Sequence, residues 1–295
     1  MMVLMDVAVI LLLALAGLSM GSFAGATVWR LRARQLIEDK KEGEEIDKEE
    51  YKALLPLSKA PFTARDRSRC LHCHQTLAWY DLLPLVSWLS TGGTCRYCRK
   101  RIGTFEPLME LGTAGFFVGS YLLWPEIITA LDLAQFILWL LGGVLLAILF
   151  AYDMKWFLLP NRVVFPLIGV GVIVAGLRIF TSADSVMALI DVAAAASVLS
   201  GLYLILWYVS KGKWVGFGDV KLGLGLALLL GNWQLAFLAL FLANLIGCLV
   251  VIPGLVSGKM KRGSHVPFGP LLIIGFVISV LIGQPILQWY FTAFL

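Results

Sequence analysis

The chain has 295 residues, 59% hydrophobic and only 15% charged, with a mean hydropathy of +0.85, which excludes an ordinary soluble globular domain and predicts a multi-span membrane protein. Its net charge of +5 would suggest nucleic acid in a soluble chain. In a membrane protein, basic residues segregated to one side account for it, so no nucleic-acid partner is expected.

The first apolar run, 3–28, is long enough to span, because about 20 helical residues cross a ~30 Å hydrocarbon core. No basic region precedes it, and Arg30, Arg32 and Arg34 follow it. That pattern argues against a cleaved signal peptide and places the N-terminus outside and the next segment in the cytoplasm. The small residues Gly21, Ser22, Ala24, Gly25 and Ala26 near its end are expected to serve helix packing.

From Arg30 to Glu106 the composition turns polar, and this is the one sizeable stretch that reads as a soluble domain. Residues 38–50, dense in Lys, Glu and Asp, predict a solvated helix or flexible insert. Two C-x-x-C pairs follow, Cys70-Leu71-His72-Cys73 and Cys95-Arg96-Tyr97-Cys98, at a spacing that zinc ribbons use. Four thiolates close a tetrahedron around Zn²⁺ and leave no open position, which suits structure rather than catalysis. Disulfides are the rival reading, and a cytoplasmic location disfavours them. His72 and His74 read as surface residues and Cys248 as a small residue in an apolar run.

Seven further apolar runs follow at about 108–124, 133–152, 163–180, 186–209, 214–230, 234–252 and 268–294. Loops on one side carry Lys155, Arg162, Lys211, Lys213, Lys259, Lys261 and Arg262, and loops on the other carry Glu126, Asp132 and Asp184. That division satisfies the positive-inside rule. Arg178 is the exception, and it is expected to snorkel to the interface.

Two of these runs carry a carboxylate where one is expensive. Asp153 ends the run before Met154-Lys155-Trp156, and Asp219 sits in Trp214-Val215-Gly216-Phe217-Gly218-Asp219-Val220-Lys221-Leu222. An acid at the edge of a bilayer is by default a site hypothesis, although either residue alone is as readily an ordinary interfacial charge. The topology brings both to the cytoplasmic face. Two carboxylates brought together can share a proton and activate a water against an amide. Gly216 and Gly218, lacking Cβ, would let an extended substrate backbone approach Asp219. The helix is expected to begin near Trp214, sinking Asp219 about one turn into the membrane, a depth tolerated only beside a water-filled cavity. Lys155 and Lys221 are placed to tune the acids. Val266-Pro267-Phe268-Gly269-Pro270 reads as a proline-stiffened helix start, with Gly269 a candidate to pack near them.

Gly216-Phe217-Gly218-Asp219-Val220-Lys221-Leu222 resembles the G-x-G-D-x-K-L motif of the type IV prepilin peptidases, which are membrane aspartyl proteases. Gly21-Ser22-Phe23-Ala24-Gly25-Ala26-Thr27-Val28-Trp29-Arg30-Leu31 is similar to the family's G-S-F-x-N-x-x-x-x-R-L stretch, with Gly25 where Asn is usual. The surroundings of the cysteines, including Trp79-Tyr80-Asp81 and Phe105-Glu106-Pro107-Leu108-Met109-Glu110-Leu111, resemble the cytoplasmic domain of the bifunctional members, and the proline-glycine element resembles their P-F-G-P. The resemblance covers nearly the whole chain apart from the charged insert.

The expected fold is an all-α polytopic membrane protein of about eight transmembrane helices, with a small cytoplasmic zinc-ribbon-like domain between helices 1 and 2. Residues 1–29 form the first helix, 30–106 the cysteine domain and 107–295 a seven-helix peptidase core. Asp153 and Asp219 are the expected catalytic pair, Gly216 and Gly218 the substrate-positioning residues, and Cys70, Cys73, Cys95 and Cys98 the ligands of a structural Zn²⁺. The resemblance implies cleavage of prepilins or pseudopilins at the cytoplasmic border of a bacterial inner membrane. It also implies methylation of the new N-terminus from S-adenosylmethionine, whose site no residue identifies. A peptidase without methyl transfer is the nearest alternative. An ion-coupled transporter predicts matched repeats that are not seen, and a non-catalytic scaffold predicts that both aspartates are dispensable.

Overall fold

A computed structural model describes residues 2–57, 67–124, 127–258 and 266–294. Of the charges used above to orient the spans, Glu126, Lys259, Lys261 and Arg262 lie outside the described residues. The chain divides into two compact units, Met1–Leu122 and Leu123–Leu295. Among the described residues secondary structure is helical, with two isolated bridges, Arg69 to Thr76 and Thr94 to Arg101.

In the first unit, α1 (Met2–Glu42) runs unbroken for 41 residues, about 60 Å at 1.5 Å per residue, so the first span and the following polar segment are one helix. Its small residues approach α4 (Phe105–Leu123) closely: a Cβ on Gly17 would lie 2.6 Å from the Ala114 Cα, and one on Gly21 2.5 Å from the Met109 carbonyl oxygen. Only glycine allows that backbone approach, which is the packing role read from the sequence. The charged insert is helical as well. After Gly43 turns the chain, α2 (Lys48–Leu54) is capped by Asp47, whose carboxylate accepts from the Glu49 N–H at 2.8 Å. It folds back on α1 through Arg32 and Glu50, 2.7 Å apart, and a small core of Ala33, Leu36, Leu54 and Leu57. The cysteine pairs and α3 (Val86–Ser90) occupy the stretch before α4.

The second unit is a helical bundle: α5 (Ala130–Trp156), α6 (Asn161–Thr181), α7 (Ser185–Ala196), α8 (Leu202–Ser210), α9 (Phe217–Leu230), α10 (Trp233–Val256) and α11 (Phe268–Phe294). A π turn, Ser197–Gly201, joins α7 to α8, and Ser185–Ser210 counts as one span. There the Ser200 Oγ donates to the Val220 carbonyl at 2.9 Å, and a Cβ on Gly223 would come within 2.4 Å of the Leu199 carbonyl oxygen. Packing of α9 on α6 is equally tight at Gly225 and Gly171, where a Cβ on Gly171 would meet the Leu228 Cβ at 2.8 Å.

Among the described residues six helices are long and apolar enough to cross a membrane, which makes the chain a multi-pass membrane protein. The other two predicted spans are helices as well. α4 has 19 residues and carries Glu106 and Glu110, whereas α9 has only 14, about 21 Å, less than a full crossing. Its start differs from the expectation: Gly216 is the extended N-cap residue and the helix opens at Phe217, not near Trp214. The cause lies upstream. α8 ends with Lys211 and Gly212 both left-handed, at φ 52° and 76°, and the Ser210 Oγ accepts the Trp214 N–H at 3.3 Å, so 211–216 is a turn that cannot join the helix. Arg178 does not snorkel either. Its guanidinium donates to the Leu230 carbonyl at the end of α9, where the left-handed Gly231 cap leaves carbonyl oxygens needing donors.

Candidate active site and metal centre

Asp153 stands in the last turn of α5, ahead of Phe157, which closes the helix in the left-handed conformation. Its side chain is 5% exposed, and its Oδ2 accepts the backbone N–H of Gly269 at 3.1 Å. Asp219 stands in the first turn of α9, where its own N–H donates to the Gly216 carbonyl at 3.1 Å. The two carboxylates lie within electrostatic reach of each other. Residues 66 positions apart in sequence are thus brought together at the end of one helix and the start of another.

The glycines crowd around this pair. A Cβ on Gly216 would lie 3.5 Å from the Asp219 Oδ2. One on Gly218 would lie 3.2 Å from the Leu159 Cβ, and one on Gly269 2.7 Å from the Asp153 Oδ2 and 3.6 Å from Leu159. Leu159 therefore packs against both glycine segments and holds α9 and the start of α11 to the end of α5. Gly269 is more than part of a helix start, since its N–H orients Asp153.

Two neighbours were not singled out from sequence. Tyr203 of α8 is 4% exposed, lies within reach of the Asp219 charge and packs edge-on against Phe268 at 5.4 Å. Its hydroxyl is buried with no hydrogen-bond partner among the described residues. Asn161, the first residue of α6, accepts from the Lys221 ammonium, which also lies 5.3 Å from the Phe217 ring centre. No local pattern marks either residue, because each acts through contacts distant in sequence.

The cysteine pairs fold into two matching knuckles. In the first, the Cys70 N–H donates to the Gln75 carbonyl and the His74 N–H to the Cys70 carbonyl, both at 3.0 Å. In the second, the Cys95 N–H donates to Lys100 at 2.8 Å and the Arg99 N–H to Cys95 at 2.9 Å. His74 and Arg99 hold the same left-handed position, at φ 57° and 60°. The role of His74 is thus conformational, and His72 pairs its Nε2 with the Arg101 carbonyl at 3.2 Å.

All four sulfur atoms lie within 4.8 Å of one another, and those of Cys70 and Cys98 are 4.0 Å apart. Tetrahedral Zn–S bonds of about 2.3 Å place sulfurs roughly 3.8 Å apart, whereas a disulfide needs about 2.05 Å. The set therefore fits a tetrahedral metal. Burial pushes the Cys70 thiol up to about 12. Burial acts on Cys95 in the same sense, but the backbone N–H groups of Cys98 and Tyr97 and the neighbouring thiols draw it down to about 7.

Asp81 braces the second knuckle. Its carboxylate accepts from the Arg96 Nε and the Tyr97 hydroxyl, each at 2.9 Å, and from the Ala78 N–H at 3.1 Å. Burial raises this acid, but those three donors outweigh it and hold Asp81 below its ordinary value.

Residues 15–124 match the family described as Bacterial Peptidase A24 N-terminal domain, and residues 140–252 the Type IV leader peptidase family. The chain is 32% identical to a prepilin leader peptidase/N-methyltransferase of Aeromonas hydrophila, across 90% of this chain and 85% of that protein. It is 31% identical to the protein of the same name from Pseudomonas aeruginosa, across 94% and 91%. A type 4 prepilin-like proteins leader peptide-processing enzyme of Escherichia coli is 31% identical across 90% of each chain. No solved structure matches. With matched regions covering both the cysteine segment and the helices that bear the two aspartates, the chain belongs to the type IV leader peptidase family.

Proposed function

We propose that the protein is a membrane aspartyl endopeptidase that removes the leader from prepilins or pseudopilins and methylates the N-terminus so exposed. The observation that carries the peptidase reading is that Asp153, in the last turn of α5, and Asp219, in the first turn of α9, lie within electrostatic reach of each other, with glycines in place of side chains around them. One carboxylate, ionised, takes a proton from water as that water attacks the scissile carbonyl. The other, protonated, donates to the carbonyl oxygen, and no covalent intermediate forms. Gly216 leaves room for an extended substrate strand beside Asp219, Gly218 lets Leu159 pack closely at the start of α9, and Gly269 keeps Asp153 in place.

The names of the relatives support methyl transfer as the second activity. S-adenosylmethionine supplies an activated methyl group when bound. The four cysteines hold a structural Zn²⁺ that ties the two knuckles together. The functional division is read as 1–29 for a membrane helix, 30–106 for the cysteine domain and the rest for the peptidase core, with most of α4 grouped in the first unit beside the cysteine domain. The basic residues near it, Lys155, Arg162, Lys211 and Lys213, support the reading that the site faces the cytoplasm at a bacterial inner membrane.

The test is incubation of the purified full-length protein with a prepilin, followed by mass analysis of the product. Asp153→Asn and Asp219→Asn should each reduce cleavage at least a thousandfold with helical content unchanged, since Asn keeps the shape and removes the base. Appreciable turnover by either variant would refute the paired mechanism.

A further inference from the structure

A partly open cavity of ≈ 200 Å³ lies within the first unit, walled by residues of α1, α3, α4 and both cysteine knuckles. The paired-aspartate reaction uses none of it. Its lining combines aromatic rings, Trp29, Trp88 and Tyr97, with the carboxylates of Glu106 and Glu110. Glu110 is 6% exposed, and its Oε2 accepts the Leu85 N–H at 2.8 Å. Leu85, which delivers that N–H, adopts φ 57° and ψ −44°, a backbone conformation a leucine rarely takes. The Glu106 Oε1 accepts the Trp29 indole N–H at 3.1 Å, and the Trp88 indole donates to the Gly103 carbonyl at 2.8 Å. Both tryptophan rings are thereby fixed in orientation.

Oriented aromatic rings beside sheltered carboxylates form a site for an organic cation. The methyl donor matches this lining: it carries a sulfonium cation on an arm that ends in an amino acid. The volume suits that arm. Sites that enclose a whole drug-sized ligand run to roughly 300–1,000 Å³, so the adenosine lies toward the open side.

We propose that this cavity is the methyl-transfer site, with the sulfonium of S-adenosylmethionine seated against Trp29 and Trp88 in the field of Glu106 and Glu110. The inference rests on the methyl-transfer reading above. The ammonium of a freshly cut pilin gives one proton to one of the two carboxylates. The resulting amine directs its lone pair at the methyl carbon, and the N–C bond forms as the C–S bond breaks. The electron pair of that bond goes to sulfur, which leaves as a neutral thioether. The product is a secondary ammonium, and the carboxylic acid returns its proton to water.

The test is equilibrium binding of labelled S-adenosylmethionine and S-adenosylhomocysteine to the full-length protein in detergent. Only the first carries the sulfonium charge. Glu110→Gln keeps an oxygen to accept the Leu85 N–H, and it should weaken the sulfonium ligand about tenfold but the thioether less than twofold. Trp29→Leu should do the same and Trp29→Phe should restore binding, which carries the test if Glu110→Gln fails to fold. Unchanged binding, or equal weakening of both ligands, would overturn the assignment of the cavity. Wild-type protein that binds the donor and labels a pre-cut pilin alongside unaffected variants would remove this inference alone. Wild type that does neither would remove the methyl-transfer reading with it.

Discussion

Substitution of Gly269 by alanine tests the architecture of the aspartate pair without touching either acid. The added Cβ would stand 2.7 Å from the Asp153 Oδ2, and ordinary contact begins at 3.4 Å, so one or both groups must move by about 0.7 Å. Asp153 has little room to yield, being 5% exposed at the end of a packed helix. The backbone N–H survives the change, so the perturbation is one of position and not of hydrogen-bonding capacity. Misplacing a catalytic group by about 1 Å costs on the order of a hundredfold, whereas overpacking costs about 1–3 kcal/mol of stability. The expected result is a 10- to 100-fold fall in kcat/KM for prepilin cleavage by purified protein, with helical content retained. Gly169→Ala is the control, because nothing lies within 4 Å of its Cβ, and it should leave the rate unchanged. Wild-type cleavage by Gly269→Ala would show that the Gly269 contact does not position the acid.

Cys95→Ser should lower bound zinc from one per chain to near zero by elemental analysis and expose the knuckles to proteolysis; native disulfides found by mass spectrometry would contradict the metal reading. Asp81→Asn should lower the thermal unfolding temperature of the cysteine segment at pH 7. In the wild type the folded value of Asp81 lies below 3.8, so its contribution is present at neutral pH and lost as pH falls through that folded value. The variant should therefore show less acid dependence below about pH 4, and identical acid profiles would refute the bracing role. Tyr203→Phe removes a buried hydroxyl that has no partner among the described residues, so unfolding should be unchanged or slightly delayed. Cleavage should fall about tenfold, and a loss of stability instead would mark the hydroxyl as structural.

Features that rest on local chemistry could be read from the sequence. Two C-x-x-C pairs can converge with few long-range contacts, and the sulfurs do lie together. Spans could be counted because apolar length is a local property, but α4 and α9 show its limit. The apolar character of α4 is broken by Glu106 and Glu110, and α9 is shortened because the turn at Lys211 and Gly212 ends the preceding helix beyond recovery before Gly216. Asp153 and Asp219 stood out as a pair, each closing or opening an apolar run on the same side, where either alone would read as an ordinary interfacial charge. Leu159, Tyr203 and the Gly269 N–H were hidden, since a leucine, a tyrosine and a backbone amide carry no compositional signal. What makes them neighbours of the acids is the packing of α11 on α5 and α9, and of α8 on α9. The continuity of α1 was equally hidden, because composition changes at Arg30 while the helix does not.

The π turn between α7 and α8 carries one residue more than ordinary winding would. An extra residue shifts the angular phase of everything after it by roughly 100°. Before the turn is complete, Leu199 faces Gly223 of α9; after it, Tyr203 faces Phe268. Without the shift the two residues, four apart, would fall on nearly the same stripe of the helix. Tightening Ser197–Gly201 to ordinary winding at its present length would swing Tyr203 about a quarter of a turn away from Phe268, whereas deleting one residue would restore ordinary winding and leave Tyr203 where it is. The wide winding of this stretch, more than the identity of its residues, is therefore what aims Tyr203.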